Sequence, residues 1–292
     1  MPGTRATPTA CIKYWVSATA SPGTGSPGFT SKRIWARPTI STPESVTNGK
    51  TMKTFLCTVV ILSAAAVASC SKPGCAQKEG TSTRTVRSTG SFEQLVILDN
   101  INVVLSEGPC SVTVETDEAL QPVVGAEVRN GQLFLRNDAS CSVIRRPGES
   151  ITAYVSLPHL TRIDYQGSGT VTCADTLHTD YISVEADRGA GNVHLKLAAL
   201  FTLAQVNNEV TDLRFEGRSD SCYAWCSSRG TIDFRNFQVK RMALAYAGVR
   251  DAYVWATESL HTIVYQTGNV YYRGSPRLLA PDYRSTGRLL PF

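Results

Sequence analysis

The acidic residues of this chain come nearest to a catalytic arrangement. Some enzymes built from stacked β-strands cleave polysaccharides with clustered acids, and glycosidic hydrolysis needs two carboxyl groups about 5 to 10 Å apart. The candidates are Asp164, Asp175, Asp187 and Asp233. Aligning the chain on its repeated glycines places Asp164 beside Ala186 and not beside Asp187, so no two acids share a face. We therefore expect these carboxylates to cap turns and to face solvent, and we predict no catalytic residue.

Metal and phosphate chemistry lack the spacing that they require. The histidines, His159, His178, His194 and His261, are scattered without the short intervals of metal ligands. The Gly167-Ser168-Gly169 segment is too short for a phosphate-binding loop and precedes no helix. The sequence therefore predicts neither a metal site nor a cofactor.

Residues 52–69 have the layout of a secretory signal peptide. They combine one positive charge, an apolar core of roughly a dozen residues and a small-residue end. The core is shorter than the roughly 20 residues of a comfortable membrane span, although a spanning anchor is the alternative. The end, Val67-Ala68-Ser69-Cys70, resembles a bacterial lipobox. That resemblance implies recognition of Val67, Ala68 and Ser69 by signal peptidase II and a lipid on Cys70, which would hold the mature protein on the membrane.

The segments around the signal suggest how the chain is divided. Residues 1–51 are rich in Pro, Gly, Ser and Thr, so they are either upstream of a true start at Met52 or a disordered extension. Residues 70–88 are polar and read as a flexible tether, and residues 89–290 form the predicted folded domain. Lys72 stands where aspartate would signal inner-membrane retention, so the lipobox resemblance implies the outer membrane, with the domain on its periplasmic or surface side.

The cysteines after position 70 would meet an oxidising compartment, where disulfides form. Cys110 and Cys141 flank a predicted hairpin and form the favoured disulfide, although the six cysteines that follow Cys70 allow 15 pairings. Cys222 and Cys226 lie about 13 Å apart on an extended strand, too far to bond unless the chain turns between them. Cys75 and Cys173 are the remaining two, and Cys173 is expected to be a buried thiol.

The charge distribution argues against a nucleic-acid partner. Seven of the 29 basic residues and one of the 24 acidic residues precede Cys70, which leaves 22 basic and 23 acidic residues in the mature chain. A nucleic-acid-binding domain usually carries a strongly basic face. We therefore expect no nucleic-acid ligand.

Aromatic residues become frequent toward the C-terminus, and four of them are candidates for binding. These are Tyr253, Trp255, Tyr271 and Tyr272. Exposed aromatic rings on a sheet can stack on sugar rings or on a protein partner. The alternative is that they fill the interior of the fold as stacked ladders.

A repeat organises the second half of the chain. Its corner glycines are Gly167, Gly169, Gly189, Gly191, Gly230 and Gly268. The gaps from Gly169 through Gly191 and Gly230 to Gly268 are 22, 39 and 38 residues, which is one period of about 20 followed by two double periods. Such a period predicts stacked coils whose corners need glycine at positive φ.

The stacked coils also predict an interior column of apolar residues. Its expected members are Val171, Val193, Leu213, Ile232, Tyr253 or Val254, and Val270. In this register Ile232 points inward, while Thr231 and Asp233 point outward.

Residues 90–157 alternate between apolar and polar side chains, as β-strands do. Asn130-Gly131 between two such runs predicts a two-residue hairpin. The only ambiguous stretch is the apolar run at 195–203. The mature protein is thus predicted to be all-β: a right-handed parallel β-helix, or β-solenoid, with rungs of about 20 residues and an N-terminal portion rich in β-hairpins.

Several motifs carry a family resemblance over about residues 87–290. In chain order they are Gly90-Ser91-Phe92, Asn102-Val103-Val104-Leu105, Gly131-Gln132-Leu133-Phe134-Leu135, Tyr154-Val155-Ser156-Leu157-Pro158-His159-Leu160, Gln166-Gly167-Ser168-Gly169 and Thr267-Gly268-Asn269-Val270-Tyr271-Tyr272-Arg273-Gly274-Ser275-Pro276. Together they resemble the auto-transporter adhesin head GIN domain, DUF2807. The resemblance implies a right-handed β-helix, often on envelope lipoproteins, and an adhesive role.

Three functions remain compatible with the sequence. The first is a non-enzymatic envelope lipoprotein that binds a polysaccharide or an envelope or host protein. The second is a polysaccharide-active enzyme on the same fold, and the third is a structural periplasmic scaffold. The oligomeric state is left open.

Overall fold

The computed structural model describes residues 81–139, 150–207 and 210–292. They form 17 β-strands and one short 3-10 helix, Gln121–Val123. The strands are β1 (Ser82–Arg87), β2 (Gln94–Asp99), β3 (Ile101–Glu107), β4 (Ser111–Asp117), β5 (Val124–Arg129), β6 (Gln132–Asn137), β7 (Ile151–Leu157), β8 (Arg162–Gly167), β9 (Thr170–Cys173), β10 (Leu177–Asp187), β11 (Asn192–Asn207), β12 (Asp212–Ser227), β13 (Ile232–Tyr246), β14 (Ala252–Val264), β15 (Val270–Arg273), β16 (Leu278–Tyr283) and β17 (Leu289–Pro291). Within these ranges no helix is long and apolar enough to cross a bilayer.

The strands from β8 onward stack in parallel, each on the strand one coil earlier. Leu177 of β10 lies beside Leu197 of β11, and Val193 of β11 lies beside Leu213 of β12, so successive rungs are 20 residues apart. The ambiguous run at 195–203 belongs to β11 and is extended. The predicted all-β fold is confirmed as a β-solenoid of about six turns.

The earlier strands belong to the same stack but depart from chain order. Strand β2 pairs in parallel with both β6 and β8, and β3 pairs in parallel with both β7 and β9. The coil made of β6 and β7 therefore lies on the far side of the coil made of β2 and β3, although it comes later in the chain. The predicted hairpin joins β5 and β6, with Asn130 at φ 51° and Gly131 at φ 75°.

The predicted C-terminal boundary of the tether at residue 88 is wrong, because the folded domain begins earlier in the chain. Residues Ser82–Arg87 form β1, which pairs antiparallel with β4 along its whole length. Strand β4 in turn pairs antiparallel with β7. Polar composition suggested a linker, but the paired backbone of β1 is what satisfies its hydrogen-bonding groups.

The interior column is confirmed except at one rung. Val171 pairs with Val193, Val193 with Leu213, and Leu213 with Ile232. These four residues are fully buried. At the next rung the residue in this column is Ala252, since its partner on β15 is Val270. Val254 is also buried but pairs with Tyr272, so the expectation of Tyr253 or Val254 in this column is wrong.

The corner glycines lie between or at the ends of strands, but the reason for glycine differs from the prediction. None of the six has a positive φ. Instead, five of the six corners pass directly under the backbone of a neighbouring coil, and Gly189 lies against the side chains of Tyr165 and Thr211. A methyl group on Gly169 would collide with the carbonyl oxygen of Ile101, and one on Gly230 would collide with that of Thr211. Close approach between coils, rather than a left-handed backbone, therefore excludes larger residues at these positions.

Candidate binding surface

Parallel pairing brings three of the four predicted aromatic residues onto one outer face near the C-terminal end of the solenoid. Ala252, Val254 and Ala256 of β14 are buried. The alternation of a β-strand therefore turns Tyr253 and Trp255 outward. Register then places Tyr271 beside Tyr253. Their rings stack with centroids 5.4 Å apart and planes 18° from parallel.

Two arginines cover these rings. The guanidinium carbon of Arg235 lies 4.1 Å from the centroid of Tyr253, and that of Arg273 lies 3.8 Å from the centroid of Trp255. Such cation–π contacts contribute about 0.5 to 2 kcal/mol and fix the orientation of the guanidinium plane. We call Tyr253, Trp255, Tyr271, Arg235 and Arg273 the aromatic–arginine surface.

The two arginines differ in what else they contact. Arg235 Nε lies 2.7 Å from Asp233 Oδ1, which neutralises it. Arg273 makes no ion pair with any residue that the structure describes, so its N–H groups remain available to an acceptor outside the protein. The surface therefore combines rigid aromatic area with one uncompensated, oriented cation.

The fourth predicted aromatic residue, Tyr272, does not belong to this outer surface. Tyr272 is half-buried and packs against the hydrophobic core, as the alternative of an interior ladder expects. Phe292, which the sequence did not single out, meets the ring of Tyr253 edge-on at 5.7 Å.

A second aromatic pair escaped the sequence analysis. Tyr181 of β10 and Phe201 of β11 are paired in register, and their rings stack at 5.8 Å with planes 5° apart. The only signal was the apolar run at 195–203, in which Leu200 and Phe201 are consecutive and break the alternation. Both of these residues are exposed.

The carboxylates are arranged differently from the prediction. Asp164 lies beside Glu185, because Ala186 pairs with Tyr165 and the expected register is off by one residue. Two acids of neighbouring rungs thus share a face. Both are engaged in other contacts: Arg162 lies 2.7 Å from Glu185 Oε2, and the amide of Gln166 donates to Asp164. The two carboxylates are therefore held by neighbouring side chains of the same sheet.

Comparison with known proteins places the chain in a family. Residues 91–276 match the family model described as "Putative auto-transporter adhesin, head GIN domain", DUF2807. The chain belongs to this family. No curated protein matches this GIN-domain chain.

Solved structures share the fold of the GIN-domain chain at low sequence identity. A putative adhesin from Bacteroides fragilis is 21% identical, with a TM-score of 0.68 over 73% of this chain and 98% of that one. A putative adhesin from Parabacteroides distasonis is 16% identical, with a TM-score of 0.56 over 73% and 98%. A putative lipid binding protein from the same species is 15% identical, with a TM-score of 0.56 over 73% and 97%.

Two of the cysteines in the GIN domain are enclosed thiols. Cys222 and Cys226 both point into the interior from β12, and burial raises the pKa of each thiol to about 12. At neutral pH they are therefore protonated and unreactive. Cys173 is half-buried, and its sulfur accepts a hydrogen bond from the backbone N–H of Lys196 at 2.9 Å.

The remaining site predictions are only partly within the described ranges. Cys110 is half-buried, but its proposed partner Cys141 lies outside the described residues. Cys70 and the recognition residues Val67, Ala68 and Ser69 lie outside them as well. Among the residues that are described, no group of three His, Cys, Asp or Glu side chains could hold a metal ion.

Proposed function

We propose that this protein is a non-enzymatic, adhesion-type binding protein of the bacterial cell envelope. The observation that carries the proposal is the outward position of Tyr253, Trp255 and Tyr271, with Arg273 held over Trp255. These rings do not fill the apolar core, because the buried positions of β14 are occupied by Ala252, Val254 and Ala256. The family, described as the head of an adhesin, supports the same role.

The chemistry of the aromatic–arginine surface suits a polysaccharide or an envelope or host protein. Tyrosine and tryptophan offer large contact areas at low cost in conformational entropy, and arginine adds several donors in a fixed plane. Aromatic and arginine side chains also dominate the energetics of protein interfaces. The ligand would lie along the outer face of the last coils.

A lipid on Cys70 would hold the domain on the outer membrane, facing the periplasm or the cell surface. The signal-like residues 52–69 and the lipobox-like Val67-Ala68-Ser69-Cys70 support this anchor. Replacing Cys70 by Ala should abolish incorporation of labelled palmitate into the protein expressed in bacteria. Continued labelling of that variant would refute lipidation at Cys70.

Binding and catalysis can be separated with one protein preparation. The mature chain should bind on an array of bacterial and host glycans or to envelope proteins, and it should release no reducing sugar from the glycans that it binds. Trp255→Ala should weaken binding about tenfold or more, since truncating a central aromatic contact typically costs 2 kcal/mol or more.

A matched control is available on another coil. Phe134 of β6 also faces outward and lies under a guanidinium, that of Arg129 at 5.8 Å, so Phe134→Ala removes a similar contact far along the chain. It should leave binding unchanged. Release of sugar would instead support a polysaccharide-active enzyme, and binding of a neutral glycan or an envelope protein that survives Trp255→Ala would reject the proposed surface.

A further inference from the structure

A cleft opens on the solenoid between β10, β11 and β12. It lies two rungs from the aromatic–arginine surface in the same column, since Arg218 pairs with Gln238 and Gln238 with Trp255. Its volume is about 400 Å³. The register of the three strands explains it: Ala198 lies between His178 on one side and Arg218 on the other. The methyl group of Ala198 leaves a gap between two long side chains. Ala199 continues this low floor, and Leu200 forms a wall.

The cleft holds charged groups that the fold does not use. Arg218 and Asp180 both line it, and neither side chain makes an ion pair or a hydrogen bond with any residue in the described ranges, although the Arg218 charge acts on the nearby Asp220 carboxyl. Asp220, also in the lining, lies 2.8 Å from Lys240. The hydrogen bond from Lys240 lowers the pKa of the Asp220 carboxyl, which is therefore ionised at neutral pH. The cleft thus presents one unpaired guanidinium and two carboxylates.

An exposed apolar cluster adjoins the cleft at the corner of the coil. Leu200 is 56% exposed, Tyr181 44% and Phe201 39%. On the next rung, the residue that pairs with Phe201 is Ser221, and the one after that is Arg241. Polar residues therefore follow the apolar cluster on these two rungs, and exposed apolar surface returns in this column only at Leu278 of β16. Aromatic and aliphatic surface beside hydrogen-bonding groups is the usual composition of a small-ligand site.

We propose that this cleft binds a uronic acid unit of an acidic polysaccharide. The sugar carboxylate would pair with Arg218, its hydroxyl groups would donate to Asp180 and Asp220, and its C–H face would lie against Leu200 and the Tyr181–Phe201 pair. A neutral sugar leaves Arg218 without an anion to pair with. One anionic group flanked by hydroxyls matches the lining.

The inference does not rest on the proposed function, since it concerns other residues, on β10 to β12, and a defined ligand class. The probe is trigalacturonic acid, titrated calorimetrically into the mature chain at low salt, with its methyl ester and maltotriose as neutral comparisons. We expect binding of the acid, weakening with added salt, and at least about tenfold weaker binding of both neutral sugars.

Variants locate the binding. Arg218→Gln should reduce affinity about tenfold or more, because a charge-assisted hydrogen bond is lost. Ala198→Met should abolish binding by filling the floor of the cleft. Arg277→Gln removes another exposed arginine that makes no ion pair among the described residues, and it should have no effect. Thermal unfolding of each variant checks that the fold persists.

Four results would overturn the proposal. They are no binding of trigalacturonic acid at millimolar concentration, equal binding of the methyl ester, displacement of the acid by a zwitterionic dipeptide, or wild-type affinity in both Arg218→Gln and Ala198→Met. Trp255→Ala should leave this binding intact. If it does not, the sugar binds at the aromatic–arginine surface and the cleft is not its site.

Discussion

Tyr165 and Tyr246 occupy one column of the solenoid interior, separated by Ala186, Val206 and Cys226 on the intervening rungs. Both are fully buried. Each donates its hydroxyl hydrogen to the backbone carbonyl four residues further along, Tyr165 to Gly169 and Tyr246 to Arg250. Two large side chains thus close the corner at either end of a column of smaller ones. The Tyr165 hydroxyl adds a second donor to the Gly169 carbonyl, which also accepts the backbone N–H of Asn192.

The first prediction concerns this corner bond. Tyr246→Phe keeps the ring but removes the only side-chain donor that the structure shows for the Arg250 carbonyl. It should lower the free energy of unfolding by about 1 to 3 kcal/mol, the cost of a buried group left without its partner. Urea denaturation of the mature chain measures it. Tyr283→Phe, at an exposed tyrosine, is the control, and an equal loss in both variants would contradict the role of the bond.

The second prediction concerns alkaline pH. Burial raises the pKa of Tyr165 to about 12, against 10.0 for an ordinary tyrosine, and it also raises the pKa of Tyr246. In the unfolded chain the phenols ionise near pH 10, while in the folded chain that of Tyr165 stays neutral to about pH 12. The resulting stabilisation is fully present below pH 10 and is lost as the pH rises through 12.

Stability should therefore fall across that window, and less steeply in Tyr165→Phe than in the wild type. Denaturant unfolding at closely spaced alkaline pH values, with ultraviolet titration of the phenols, makes the comparison. Identical slopes for both proteins would show that Tyr165 titrates normally in the folded state.

The third prediction tests the close packing of the corners. A methyl group on Gly191 would collide with the Gly169 carbonyl oxygen and the Tyr165 hydroxyl, so Gly191→Ala should cost about 1 to 3 kcal/mol or more. Gly90 has no atom within 4 Å of the equivalent position, and Gly90→Ala should be neutral or slightly stabilising. Calorimetric unfolding of the two variants decides the matter. A harmless Gly191→Ala would mean that the coils are further apart than described.

The fourth prediction tests the register of the interior. Ile232 is fully buried while its neighbour Asp233 faces outward and pairs with Arg235. Ile232→Lys buries an unpaired charge and should cost more than about 4 kcal/mol or prevent folding. Asp233→Asn breaks only a surface ion pair and should cost less than about 1 kcal/mol. Protease resistance ranks the two, and the opposite order would place Ile232 on the outer face.

Local pattern was enough for much of the fold. Strand alternation and the recurrence of glycine at about 20-residue intervals predicted the solenoid, and Asn130-Gly131 predicted the hairpin between β5 and β6. These features depend on residues that are close in sequence, or on a repeat whose units contact only their neighbours. The inward position of Ile232 follows from the same repeat.

The sequence did not predict how strands from distant segments pair. The coil of β6 and β7 stacks on β2 and β3, and Asp164 lies beside Glu185. Both pairings depend on the register between strands of different coils, which the conformations of the connecting loops determine. A shift of one residue moves every side chain to the opposite face. The sequence identified Tyr253, Trp255 and Tyr271 as candidates, but tertiary packing brought Arg235 and Arg273 over two of their rings and turned Tyr272 toward the core. In the same way, the sequence shows which residues each strand contains, but it does not show which residues of different strands lie side by side. The cleft beside Ala198 exists only because strand pairing places His178 and Arg218 on the rungs to either side of it.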